Sequence, residues 1–218
     1  MNNSSINKMA KEIQDIMKIS IKSKDQEKIL PNGQIPKYPK VHNIQGSVLF
    51  VDIRHSTDML KENGRKDIAK IYKIFSKIVG AAVSENDGKV QQILGDGALC
   101  IFTGNSSGRN AVNATVSINT YLAKCYNNKC EELLRVECGY GIKTGHIYAT
   151  KMMVENIDNI VYPSIVTSYA CKLCNKAKSG QVIMDNNTQV QIDKNFNKYL
   201  KKYDANDWSM ENVIWEVQ

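Results

Sequence analysis

The chain has 218 residues and a net charge of +7, enough for one well-buried domain plus a short extension, with an ordinary globular composition. No apolar run approaches the ~20 residues that span a bilayer, so no membrane segment is expected. Met1 to Ser5 carries no signal-peptide core, which points to a cytoplasmic protein. The lysines are spread along the chain without interleaved aromatics, so a nucleic-acid platform is not expected either.

Residues 1–45 read as an amphipathic arm and linker. Ile6, Met9, Ile13, Ile16 and Met17 recur at helical spacing, and Lys22 to Lys40 is polar with Pro31, Gly33, Pro36 and Pro39. The helix either packs on the domain or helps a dimer form; a poorly ordered arm is the bland alternative. From Gly46 to Gln218 the elements alternate as one domain. Ser47 to Ile53 is a strand, and Ile68, Ile71, Tyr72, Phe75, Ile78, Val79 and Ala82 mark one face of a long helix ending at Asn86-Asp87-Gly88. Lys89 to Leu94 and Ala98 to Thr103 form a hairpin around Gly95-Asp96-Gly97. Ser106 or Ser107 caps a second helix with Ala111, Thr115, Ile118, Leu122 and Cys125 inward. A strand with Val136, Cys138, Tyr140 and Ile142 inward is expected to turn at Thr144-Gly145 into His146 to Thr150. A third helix spans Ile165 to Ala177, Gln181 to Met184 is a strand, and the tail through Trp208 and Trp215 supplies one or two edge strands. This order predicts an α+β, ferredoxin-like antiparallel sheet sandwich with helices packed on it.

Two stretches carry the chemistry. In Val48-Leu49-Phe50-Val51-Asp52-Ile53-Arg54 and in Ile93-Leu94-Gly95-Asp96-Gly97, an acid stands where an apolar run meets a turn. A carboxylate held at a buried strand end must be neutralised, paired or placed on a metal. Two of them about 4 Å apart repel by roughly 4 kcal/mol at an effective dielectric near 20, a penalty that a divalent cation removes. A metal-dependent reaction on a phosphate-bearing substrate follows. The alternatives are a turn aspartate at Asp96 and a helix cap at Asp52. Of the six cysteines, only Cys171 and Cys174 have a suggestive spacing, and without a second pair they read as core thiols.

Over roughly Gly46 to Asp185 these motifs resemble the catalytic domain of the class III nucleotide cyclases, which have a strand ending in Phe-x-Asp-Ile-Arg and a hairpin tipped by Gly-Asp-Gly. Gly139-Tyr140-Gly141-Ile142-Lys143-Thr144-Gly145 is similar to a further family stretch, with Lys143 in place of its His. The resemblance implies the class III cyclase fold and a nucleoside triphosphate substrate. It also implies a homodimer with composite sites and two Mg2+ or Mn2+ ions on Asp52, Asp96 and the Ile53 carbonyl. Ser56 and Thr57, at a helix start, and Arg54 are expected at the triphosphate; the alternative for Arg54 is a surface pair with Asp58. His55 stands where the family usually has Gly.

The resemblance further places Gln92 at a base-reading position that is Lys in adenylyl and Glu in guanylyl enzymes. The second such position falls near Ser164 or Ile165, and the family's catalytic Asn and Arg fall at Ser168 and Lys172. Neither purine code is present, and Gln can pair with the edge of uracil or cytosine. The Asp-Ile-Arg-x-Ser-Thr form of the first motif is similar to the bacterial Pycsar anti-phage cyclases, which make cyclic UMP or cyclic CMP. The expectation is therefore a pyrimidine cyclase. The alternatives are the same reaction on ATP and a non-catalytic nucleotide-binding module. A polymerase palm, which shares the acid pair and the layout, is disfavoured because 218 residues leave no thumb- or fingers-sized segment.

Overall fold

The structure is a computed structural model that describes residues 3–28, 34–62, 65–192, 200–203 and 214–217. Helix α1 (Asn3–Met17) leads into strand β1 (Lys22–Gln26), and β2 (Lys40–Ile53) follows. Then come α2 (Ser56–Glu62), α3 (Arg65–Glu85), the β3–β4 hairpin (Gly88–Leu94, Gly97–Thr103) and α4 (Ser107–Tyr121). Strand β5 (Cys138–Val154), β6 (Ile157–Val161), α5 (Ile165–Lys176), β7 (Val182–Asp185), α6 (Asn186–Gln189), β8 (Leu200–Tyr203) and β9 (Ile214–Val217) complete the order.

The strands form one sheet in the order β3-β4-β2-β5-β7-β9-β8, with β1 added to β2 and β6 to β5. Most pairs are antiparallel; β1–β2 and β5–β7 are parallel. Its centre is β2, a β-branched run that suits a strand buried on both faces. Period-two alternation sends Leu49, Val51 and Ile53 into a core with Phe75, Val79 and Ile118 of α3 and α4. The intervening Val48 and Phe50 pack with Val166 and Ala170 of α5 on the other face. Asp52, next in that second set, therefore emerges on the α5 side at the strand's end.

Several expectations are corrected. Lys22 to Gln26 is a strand within the segment read as an extended linker, paired with a β2 that begins at Lys40. The strand from Cys138 does not turn at Thr144-Gly145. It continues to Val154, because Gly145 pairs with Gly46 in an unbroken ladder along β2 and lies against Val166. The turn comes at Glu155-Asn156, both with positive φ, and opens the β5–β6 hairpin. Cys125 is exposed, since the chain leaves α4 into a wider π-helical turn over Leu122–Asn127 that rotates it outward. Ser106 takes the N-cap position of α4 without capping a backbone amide; its hydroxyl accepts from the Arg109 guanidinium at 3.0 Å instead. Trp215 lies on β9; Trp208, Pro31 and Gly33 fall outside the described residues.

Candidate active site

The two acids meet where β2 ends beside the β3–β4 hairpin. Asp52 and Gly97 are register partners, and the Ile53 amide donates to the Asp96 carbonyl at 3.0 Å, which ties the hairpin tip to the strand end. Gly97 sits so close that an added Cβ would lie 3.5 Å from Asp52 Oδ1 and 3.4 Å from the Phe50 ring. His55 then turns the chain with φ +57, and α2 starts immediately.

Each carboxylate has one oxygen engaged. Ser56 donates its hydroxyl to Asp96 Oδ2, and Arg54 forms an ion pair with Asp52 Oδ2. The Arg54 side chain is only 15 % exposed and does not pair with Asp58, which pairs with Lys61 instead. It runs across Gly139, where an added Cβ would meet Nε at 2.9 Å, toward the end of α5. There it donates to the Ala177 carbonyl at 3.4 Å and approaches Cys174 Sγ at 3.6 Å. Arg54 thus braces Asp52 against α5.

Burial raises the Asp52 carboxyl above its ordinary value; Arg54 pulls it down and the Asp96 charge pushes it up again. The Tyr72 phenol on α3 is raised by burial and then by the charges of Asp96 and Asp52. Burial and the Asp52 charge likewise raise the Cys171 thiol of α5. Sequence reasoning placed Tyr72 only on a helix face and Cys171 only in a core. Helical spacing put Tyr72 beside inward residues, but no motif marked it.

Ser168 and Lys172 are exposed on α5, and among the described residues no hydrogen bond or ion pair joins them to either acid. The Lys172 ammonium lies 5.1 Å from the Tyr169 ring centre, and the buried Lys143, ion-paired with Asp185 at 3.0 Å, approaches the same ring. Gln92 donates its amide to the Ile160 carbonyl at 2.8 Å, and Tyr162 donates to Gln91 at 2.5 Å, which ties the edge strand β3 to the segment entering α5. Ser164 caps α5 by accepting from the Thr167 amide, and the following Ile165 is 65 % exposed. Thr57 is exposed in the first turn of α2. The structure therefore assembles Asp52, Ile53, Asp96, Arg54 and Ser56 in one place. It leaves Ser168, Lys172 and Ile165 facing outward on α5.

Among the described residues no three His, Cys, Asp or Glu side chains cluster as a metal cage. Two carboxylates and a backbone carbonyl are hard oxygen donors, the set that suits Mg2+ or Mn2+ sites completed by substrate phosphates and water. A cleft of about 590 Å³ between Gln45, Ser107 and Gln191 includes neither acid.

The fold is that of the class III nucleotidyl cyclase catalytic domains. The catalytic core of a rhodopsin-guanylyl cyclase with converted specificity, solved with ATPαS, superposes with a TM-score of 0.70 at 14 % identity. The match covers 81 % of this chain and 97 % of that one. An adenylyl cyclase from P. aeruginosa gives 0.68 at 13 % identity, over 82 % and 95 %. In sequence, the chain is 26 % identical over 135 residues to a uridylate cyclase of Burkholderia cepacia, covering 60 % of this chain and 59 % of the relative. It is 30 % identical over 166 residues to a cytidylate cyclase of Staphylococcus aureus, covering 70 % and 36 %. The chain thus spans little more than half of the first and about a third of the second. No family model matches.

Proposed function

We propose that the chain is a pyrimidine nucleotide cyclase that converts UTP or CTP to the 3′,5′-cyclic nucleotide and pyrophosphate. The ribose 3′-oxygen bonds to the α-phosphorus while the bond from that phosphorus to the β-phosphate oxygen breaks. The observation that carries this reading is the Asp52–Asp96 pair at the junction of β2 and the β3–β4 hairpin, in a cyclase fold. The names of the uridylate and cytidylate relatives, and the absence of both purine codes at Gln92 and at Ser164 or Ile165, support a pyrimidine.

Asp52, Asp96 and the Ile53 carbonyl would hold Mg2+ or Mn2+. The bound ions supply charge neutralisation for the triphosphate and a more acidic 3′-hydroxyl. Ser56, with Thr57 at the start of α2, orders the Asp96 side against the phosphates. Arg54 acts from behind, holding Asp52 in place, rather than as the phosphate ligand first expected. The homodimer reading is supported by large apolar side chains left exposed: Ile93 and Leu94 beside Asp96, Ile165 on α5, and Met153 and Ile157 on the β5–β6 hairpin. In such a dimer, the outward α5 face with Ser168 and Lys172 completes the acid site of the other copy. Gln92 and Ile165 line the base pocket, with Gln92 oriented by the Ile160 carbonyl. Messenger synthesis in anti-phage defence is the role that the Pycsar resemblance implies.

The test is complementation. Asp52→Ala and Lys172→Ala are each expected to abolish pyrophosphate release from UTP or CTP. Mixing the two unfolded and refolded together restores part of it, since a mixed dimer has one site with both halves intact. Failure of the mixture to recover activity, with an active wild type treated alike, would rule out the composite site. An inactive wild type that still binds nucleotide with Mn2+ would favour the non-catalytic module.

A further inference from the structure

The edge strand β3 carries an irregularity that the proposed reaction leaves unexplained. Val90 pairs with Cys100 of β4 and Gln92 pairs with Leu99, so two steps along β3 answer one step along β4. Gln91 is the extra residue of a β-bulge. The consequence is a change of face. Side chains alternate along a regular strand, so Val90 and Gln92 would share a face without the bulge. With it, Val90 packs with Cys100 in the core under α3 and α4, while Gln92 stands opposite Leu99, which belongs to the cluster under α5. Leu99 in turn pairs with Phe50, and Asp52 lies two residues further along that face of β2. The bulge therefore puts Gln92 on the side of the sheet where Asp52 emerges.

The bulged residue is held from outside its own strand. The buried Tyr162 donates its hydroxyl to Gln91 Oε1 at 2.5 Å, and burial pushes this phenol up to about 12, so it remains a donor at neutral pH. Two residues earlier, the Ile160 carbonyl accepts from the Gln92 amide at 2.8 Å. One short segment, Ile160 to Tyr162, thus fixes both glutamines, and the Gln92 amide keeps its oxygen and a second N–H for a base edge. We propose that Gln91 and Tyr162 are a positioning pair: by holding the bulge they keep the Gln92 amide on the substrate face and so set the nucleobase preference. This rests on the base-reading role proposed for Gln92, and neither residue of the pair needs to touch the nucleotide.

The test compares the full chain with Tyr162→Phe, Gln91→Leu, their double variant and Gln91→Glu, each checked for fold by near-ultraviolet dichroism. Tyr162→Phe keeps the buried ring and removes only the hydroxyl. One neutral hydrogen bond corresponds to roughly two- to tenfold. KM for the preferred pyrimidine triphosphate is expected to rise by that much, with kcat little changed and the preference over ATP falling in step. Gln91→Leu is expected to do the same, and the double variant no more than either alone. Gln91→Glu, whose carboxylate still accepts from the phenol, is expected to recover the preference. A folded Tyr162→Phe with unmoved KM and preference overturns the pair. So do losses that multiply in the double variant, or that fall on kcat and melting temperature with the preference intact. Should Tyr162→Phe fail to fold, Gln91→Leu, at a half-buried edge position, carries the same comparison. Equilibrium dialysis of UTP, CTP and ATP with Mn2+ separates this inference from the catalytic reading. Dissociation constants that shift as above in a chain forming no cyclic product keep the pair and remove the cyclase. An active wild type whose variants bind all three nucleotides unchanged does the reverse, and a chain that binds none of them overturns both.

Discussion

Gly141→Ala tests how tightly the placement of α5 is bound to the sheet. Helix α5 crosses β5 at Gly141 with no room for a side chain: a Cβ there would lie 2.1 Å from the Ala170 carbonyl oxygen and 2.2 Å from the Cys174 amide. Both are backbone atoms in the middle of the helix, so no side chain can swing away. Ordinary contact begins at 3.4 Å, and the helix must therefore retreat by about 1.3 Å or the strand must bend by as much. Overpacking of this kind costs about 1–3 kcal/mol. For a chain of this size that corresponds to a fall in Tm of roughly 2–12 °C. The functional effect is expected to be larger, because α5 carries Ser168 and Lys172 and its last turn braces Arg54 against Asp52. A misplacement near 1 Å costs roughly 100-fold in rate. The assay is pyrophosphate release with Mn2+ at a temperature well below the variant's melting point, beside a melting curve. A variant with wild-type melting and wild-type turnover would refute the argument that α5 is fixed by direct backbone contact at Gly141.

The remaining predictions concern single groups. Asp96→Ala is expected to lower turnover at least about 1,000-fold while the circular dichroism stays native; residual activity near wild type would remove it from the site. Lys143→Met strips the buried Asp185 of its ion-pair partner, though the Thr144 and Thr188 amides and the Thr188 hydroxyl still donate to it, so a loss of about 3 kcal/mol by urea denaturation is expected. Because the Asp52 pKa is raised on folding, its contribution to metal-free stability is present at acid pH and lost as pH rises through the raised value. Melting curves in chelator, run from below the ordinary carboxylate value of 3.8 up to neutral pH, should show Asp52→Asn gaining on wild type as pH increases; a constant difference would contradict the shift. His55→Gly relieves a left-handed residue at φ +57 and is expected to stabilise by about 0.5–1 kcal/mol, measured in the same way.

Much of this molecule is written in local pattern. The β-branched run before Asp52, the Gly95-Asp96-Gly97 turn and the inward faces of α3 and α5 follow from periodicity and turn chemistry, and they carry both acids to the same end of the sheet. Features set by distant contacts were not legible. Arg54 turns to Asp52 rather than Asp58 because Gly139 leaves a path to the Ala177 carbonyl, more than a hundred residues away in sequence. Strand β5 runs straight through Thr144-Gly145 because β2 offers a long partner, overriding a dipeptide that reads as a turn. Cys125 follows the helical spacing of α4 only on paper, since the π-helical turn after Tyr121 shifts the phase. Tyr72 feels the charge of both acids because α3 packs against the β3–β4 hairpin, a relation no local spacing encodes.

The central claim is tested most directly by incubating the purified chain separately with UTP, CTP, ATP and GTP in the presence of Mn2+ and resolving the products by chromatography and mass. The account predicts 3′,5′-cyclic UMP or cyclic CMP with an equal amount of pyrophosphate, and neither from Asp52→Ala. Cyclic AMP as the main product would keep the cyclase fold and reaction but contradict the pyrimidine reading at Gln92. No cyclic product from any of the four would contradict the proposed activity itself.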